Sequence, residues 1–172
     1  MKKNYLFISF LFILFGCGSN SSLFVKDESV KCPPILFSSE HMTYLGSGSK
    51  SLNLDNISYK IEINNSIFKD GCKIKDNLFS SILSILFIAK PLELDQDTVT
   101  FPYFIAIIDE DKQVYDIQYY SMNSTFFRDT ETDEIMESDL FKDVLVEFPS
   151  NTLPFSIVIG FMLDEKQLQI IN

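Results

Sequence analysis

The chain has 172 residues, enough for one ordinary domain with appendages, and 46% hydrophobic with 14% aromatic content is too apolar for a disordered protein. Fourteen Lys and Arg against 24 Asp and Glu give a formal net charge of -10, so the basic footprint needed to hold a phosphate backbone is missing and nucleic acid is excluded as an expected partner. A single histidine, His41, leaves little for acid/base chemistry near neutral pH.

In chain order, residues 1–16 come first. Lys2 and Lys3 precede an apolar run from Tyr5 to Phe15, interrupted only by Ser9, the pattern of a secretory signal peptide. The run is about half of the ~20 residues a transmembrane helix needs. Leu14-Phe15-Gly16-Cys17 resembles the bacterial lipobox, in which a branched apolar residue and a small residue precede a cysteine that is acylated before cleavage. Leu14, Gly16 and Cys17 fit; Phe15 is larger than that position usually carries. The alternative is a plain signal peptide cut elsewhere, with Cys17 unmodified. With acylation, Cys17 is the new N-terminus and its membrane attachment gains about 0.8 kcal/mol per buried methylene.

Gly18-Ser19-Asn20-Ser21-Ser22 begins a polar tether, and residues 17–31 are expected to link the lipid to a domain spanning 32–172. Neither Gly18 nor Ser19 is the aspartate that retains enteric-type lipoproteins at the inner membrane, so the periplasmic face of the outer membrane is the expected address. Loss of Lys2 and Lys3 with the leader takes the net charge from -10 to -12, which favours a domain standing off anionic headgroups. Cys32 and Cys72 are then the remaining pair, and an oxidising compartment predicts a disulfide between them. A two-cysteine metal or redox site is the alternative, but it lacks close spacing and nearby histidines.

From Ser58 onward the pattern is that of strands. Tyr59 to Asn64 alternates strictly, Asn64-Asn65 and Lys69-Asp70-Gly71 are turn signals around Ser66-Ile67-Phe68, and Cys72 to Lys75 alternates again. Phe79 to Ala89 is long and apolar and is stopped at Lys90-Pro91. Phe101 to Ile108 is the most hydrophobic segment after the leader and predicts a central strand. Asp109-Glu110-Asp111-Lys112 turns it back into Val114 to Tyr119, which alternates and should keep one face wet. Asp143 to Phe148 and Phe155 to Leu163 follow, the latter again central, with one helical turn or a frayed end over Asp164 to Leu168. The fold expected is all-β, an antiparallel immunoglobulin-like sandwich of about seven strands.

Cys32-Pro33 after the lipobox, Ile57-Ser58-Tyr59 leading a strand, Cys72 after a turn, Phe101-Pro102-Tyr103-Phe104, and Ile159-Gly160-Phe161 with Leu163 and Gln167-Leu168 together resemble a family of uncharacterised alphaproteobacterial lipoproteins. The order and spacing of these pieces carry the likeness. The acidic stretch between Arg128 and Asp139 and the end at Asn172 depart from it. The resemblance implies a lipid-anchored β-domain and adds no chemistry.

Candidate sites are few. His41 has no second histidine or spare cysteine beside it in sequence and is expected at a surface or strand edge. Ser49-Lys50 is adjacent rather than spaced for proton transfer. Gly46-Ser47-Gly48-Ser49 lacks the ending of a phosphate loop and suits a connector. Asp109-Glu110-Asp111 and Asp129-Thr130-Glu131-Thr132-Asp133-Glu134 are weighed for calcium but lack the spacing of a calcium loop. Tyr115, Tyr119, Tyr120, Phe126 and Phe127 could include an exposed recognition patch, although a sandwich without tryptophan needs most of its aromatic residues as core.

No cofactor, metal or catalytic residue is expected. The membrane, through lipid on Cys17, and an envelope protein are the expected partners. The expected role is that of a non-catalytic interaction or envelope-structural module; the alternative is a small carboxylate-dependent hydrolase or ligand-binding lipoprotein.

Overall fold

The computed structural model describes residues 28–48, 52–93, 97–150 and 155–171. Cys17 and the rest of the stretch expected as leader and lipobox, together with Ser49 and Lys50, lie outside them.

The expected all-β sandwich is found. In chain order the strands are β1 Glu28–Val30, β2 Ile35–Phe37, β3 Thr43–Gly46, β4 Tyr59–Lys75, β5 Leu78–Pro91, β6 Thr98–Asp109, β7 Val114–Thr125, β8 Phe127–Arg128, β9 Ile135–Met136, β10 Ser138–Pro149 and β11 Phe155–Phe161, followed by helix α1 Glu165–Ile171. One sheet runs β1-β4-β5-β10, with β3 on β4; the other runs β2-β11-β6-β7; β8 and β9 form a small ribbon. All main pairings are antiparallel except β2 on β11. Phe101 to Ile108 and Phe155 to Phe161 are the two middle strands of the second sheet, as their continuous apolar character predicts.

Two departures from the expected strand plan have clear causes. The segment expected as separate strands with turns between them is one 17-residue strand, β4, and both turn signals are bulges in it. Tyr59, Ile61 and Ile63 point inward, and the register then shifts between Ile63 and Asn65. One inserted residue exchanges the two faces, so Asn65, Ile67 and Lys69 point outward and Phe68, Cys72 and Ile74 lie on the inner side. The second bulge, at Asp70 (φ 60) and Gly71 (φ 73), uses left-handed backbone and adds two residues, which preserves the new parity. The other departure is at the start: β1 falls inside the stretch expected as tether, so the folded domain reaches back to Glu28.

Asp76 (φ 52) and Asn77 (φ 61) make the two-residue turn from β4 to β5, with positive φ at both central positions as that hairpin demands. Between the sheets the space is filled by aromatic rings. Phe79 stacks on Phe148 at 4.4 Å, Phe148 meets Phe155 edge-on at 4.1 Å, and Phe87 packs against Phe101, Tyr103 and Phe161. Tyr59 also ties the sheets together, its hydroxyl donating to the carbonyl of Thr100 at 2.8 Å. Its ring lies where a side chain on Gly46 would have to go, so only glycine fits there. Helix α1 opens with a reciprocal cap: Gln167 N donates to Asp164 Oδ1 at 2.8 Å and Asp164 N donates to Gln167 Oε1 at 3.0 Å. Gln167 then donates to the carbonyl of Leu45, holding the helix on β3.

Candidate functional site

The bulge at Asn64 has a direct consequence at Cys72. By turning even-numbered positions inward, it places Cys72 opposite Val30 of β1 and within reach of Cys32. The two are joined, with their Cα atoms 5.2 Å apart. Ser81 donates to the carbonyl of Gly71 at 2.7 Å and so braces the second bulge beside the disulfide. The disulfide therefore clips the chain just after β1 to β4, an inner strand of its sheet.

His41 lies in a 3₁₀ turn, Ser39–His41, rather than on a strand edge, and is half-buried. Its Nδ1 is 2.8 Å from the carbonyl oxygen of Phe161. A carbonyl only accepts, so the proton is on Nδ1. The ring meets Phe104 edge-on over Gly160, where an added Cβ would strike both side chains. His41 is thus a bolt between the turn and β11.

The first aspartate of each acidic cluster spends its carboxylate on backbone. Asp109 Oδ1 accepts from Gln113 N, closing the β6-β7 turn. Asp129 Oδ1 accepts from the amides of Glu131 and Thr132 at 2.8 and 2.9 Å, and those amide bonds hold the Asp129 carboxyl below its ordinary range. Arg128 bonds Asp97 and the carbonyl of Asp133, pinning the same loop. Among the described residues no group of three or more His, Cys, Asp or Glu side chains is arranged to hold a metal ion. Two carboxylates do line one recess, Glu62 and Glu137, but both are ion-paired with Lys90 between them; Glu62 is also held by Lys60 and Asp143 by Lys69, which keep the Glu62 and Asp143 carboxyls below their usual range. An open depression of about 670 Å³ runs along the β8-β9 ribbon beside Arg128, Glu137 and Asp139.

Gly46 belongs to β3, and Gly48 N donates to Ser58 Oγ, which in turn donates to Glu93. This is a built corner rather than a phosphate cradle. Of the aromatic candidates, Phe126 is core, Tyr120 is half-buried, and Tyr115, Tyr119 and Phe127 are exposed. Tyr115 and Tyr119 come from β7. Its inner-facing positions hold a polar ladder in which Tyr120 donates to Gln118 at 2.6 Å and Gln118 to Asp116 at 3.2 Å. Sequence reasoning missed this ladder, because polar residues in an alternating strand are normally assigned to water. Here they face the other sheet from an edge strand, opposite Tyr103, Ile105 and Ile107.

No helix among the described residues is long and apolar enough to cross a membrane. No family model, curated protein or solved structure matches this chain.

Proposed function

We propose that the chain is a lipid-anchored envelope lipoprotein, acylated at Cys17, whose sandwich acts without catalysis as an interaction or envelope-structural module on the periplasmic face of the outer membrane. The observation that carries this reading is Leu14-Phe15-Gly16-Cys17 directly after the cationic start and the apolar run Tyr5 to Phe15. Two structural facts support it. The Cys32–Cys72 disulfide suits an oxidising compartment, and it fastens the domain at the end that would bear the tether. The aromatic packing between the sheets also makes the outer faces and edges, rather than an interior cavity, the surfaces through which this domain meets others.

The test is the mature N-terminus. Mass spectrometry of the protein from a bacterial envelope should find a peptide starting at Cys17 that carries acyl mass. Cys17→Ser should release the protein from the membrane fraction. A mature chain starting elsewhere, or a Cys17→Ser form that still partitions wholly with membranes, would overturn the proposal.

A further inference from the structure

A sheet face turned to water is expected to carry polar residues at every outward position. The outer face of the first sheet does not. There β4, β5 and β10 turn Ile67, Ile82, Leu86, Phe141 and Leu145 outward, and Ile67 and Phe141 are each 65% exposed.

The charges on this face are sorted by strand. Beyond Ile67, β4 turns Lys69, Lys73 and Lys75 outward, with Asp70 in the bulge, whereas β10 turns out Asp139, Asp143 and Glu147. Between them β5 has no charge from Leu78 to Ile88. The register sets Lys73, Ser80 and Glu147 in one row across the three strands. Lys69 reaches Asp143 at 2.7 Å. Neither Lys73 nor Glu147 has an ion pair among the described residues, and Glu147 accepts from the Ser80 hydroxyl at 3.2 Å.

We infer that this face is the interface of a symmetric dimer, in which two copies lay their β4-β5-β10 faces on each other about a two-fold axis parallel to β5. The basic and acidic columns flank β5 at equal distance, so this axis lays the β4 column of each copy on the β10 column of the other. Lys73 then faces Glu147 of the partner subunit, and the same pair recurs across the axis. Ile82 and Leu86, on β5, pack about the axis itself. A two-fold axis across the strands would instead set lysines on lysines and carboxylates on carboxylates. At the far end Glu62 meets Asp139 of the partner subunit, but Lys60 and Lys90 already hold Glu62. The choice of a second copy rests on this reciprocal charge. An anionic lipid surface would be repelled by the β10 column, whereas the outward positions of the three strands carry as many lysines as carboxylates, Asp70 included, in a chain of net charge -10. Two acidic chains can meet here without mutual repulsion. Three strands about 4.8 Å apart, over about 34 Å of β5, give each copy a footprint of about 500 Å², so the pair covers about 1,000 Å², the size a specific interface needs. The same axis keeps Glu28 of both copies, paired beside Ile74, at one end of the dimer. That suits two anchors in one membrane, although the charge argument does not depend on it.

The test places a photo-crosslinking residue at position 141 of the full chain, expressed in a bacterial envelope. Phe141 lies in the row of Asn65, two strands away, so irradiation should give a product of twice the monomer mass, joined to the peptide of another copy that holds Asn65 and Ile67. In that background Lys73→Glu and Glu147→Lys should each lower the yield about tenfold, because each sets two like-charge pairs across the axis. The exchange Lys73→Glu/Glu147→Lys should restore it. Circular dichroism of each single variant should match the parent; should either be lost, the exchanged chain alone decides, and its crosslink to the same peptide supports the proposal. A crosslink from position 141 to lipid, to a different polypeptide or only within its own chain overturns the proposal. So do single variants that crosslink as well as the parent, or an exchanged chain that crosslinks no better than they do.

Discussion

Two tyrosines in this core carry the same hydroxyl to opposite effect. Tyr59 donates to the carbonyl of Thr100 and links the sheets, whereas the hydroxyl of Tyr103 is fully buried with no partner among the described residues, its ring stacked 5.2 Å from Tyr120. Burial pushes both phenols above their ordinary pKa, and Tyr103 far above it, so each is a neutral hydroxyl near neutral pH. An unpaired buried hydroxyl costs about 1–3 kcal/mol, while a made hydrogen bond contributes about 1 kcal/mol net. Tyr103→Phe should therefore raise stability by about 1 kcal/mol and Tyr59→Phe should lower it by about as much. Urea unfolding checks both through the midpoint, with slopes unchanged. A loss on Tyr103→Phe would mean that its hydroxyl has a partner in solution.

At the scale of elements, β6 shows why some of this fold is legible from sequence. Its inward residues Phe101, Tyr103, Ile105 and Ile107 are at most 2% exposed, and on its outer face Pro102, Phe104 and Ile108 are half-buried and Ala106 is buried, so apolar residues on both faces mark a strand flanked by neighbours in the middle of its sheet. Ile107→Asp should place an unpaired carboxylate there at a cost of several kcal/mol and abolish the strand signal in circular dichroism, whereas Asp111→Asn in the exposed β6-β7 turn should be silent. Equal tolerance of the two changes would show that β6 is not the centre of its sheet. Legibility fails where an element is defined by its partner. Glu28–Val30, Ile35–Phe37 and Thr43–Gly46 are too short to show a period, and they are strands because β4 and β11 lie beside them. Asn64-Asn65 carries the composition of a turn, but continuous pairing with β5 makes it a bulge. The candidate surfaces divide the same way. The lipobox-like stretch Leu14-Phe15-Gly16-Cys17 is four consecutive residues, whereas the place of β7 at the end of its sheet among the described residues depends on what lies beside the strand, which no local pattern encodes.

For the whole molecule, the Cys32–Cys72 bond is the one covalent constraint across the first sheet, closing a loop of 40 residues. β1 has only three residues paired with β4, at Ile74, Lys73 and Cys72, so noncovalent contacts alone hold that end weakly. In the chain-entropy account, the loop costs the unfolded state about 4 kcal/mol of freedom, a large part of the 5–15 kcal/mol that holds a typical domain together. Cys72 is 2% exposed and Cys32 packs partly against the same core, so the cleanest removal is the double change Cys32→Ala/Cys72→Ala, which leaves no buried thiol. Urea unfolding should then show a midpoint lowered by the equivalent of about 4 kcal/mol and a steeper dependence on urea, because the unlinked chain exposes more surface when it unfolds. Hydrogen exchange separates this from a local effect. If the bond acts on the unfolded chain, amides of β6, in the other sheet, lose protection by the same amount as those of β1. If it merely pins β1, only the amides near Glu28–Val30 and Cys72 lose protection, the global midpoint stays where it was, and the disulfide is a local clip rather than a determinant of the stability of the fold.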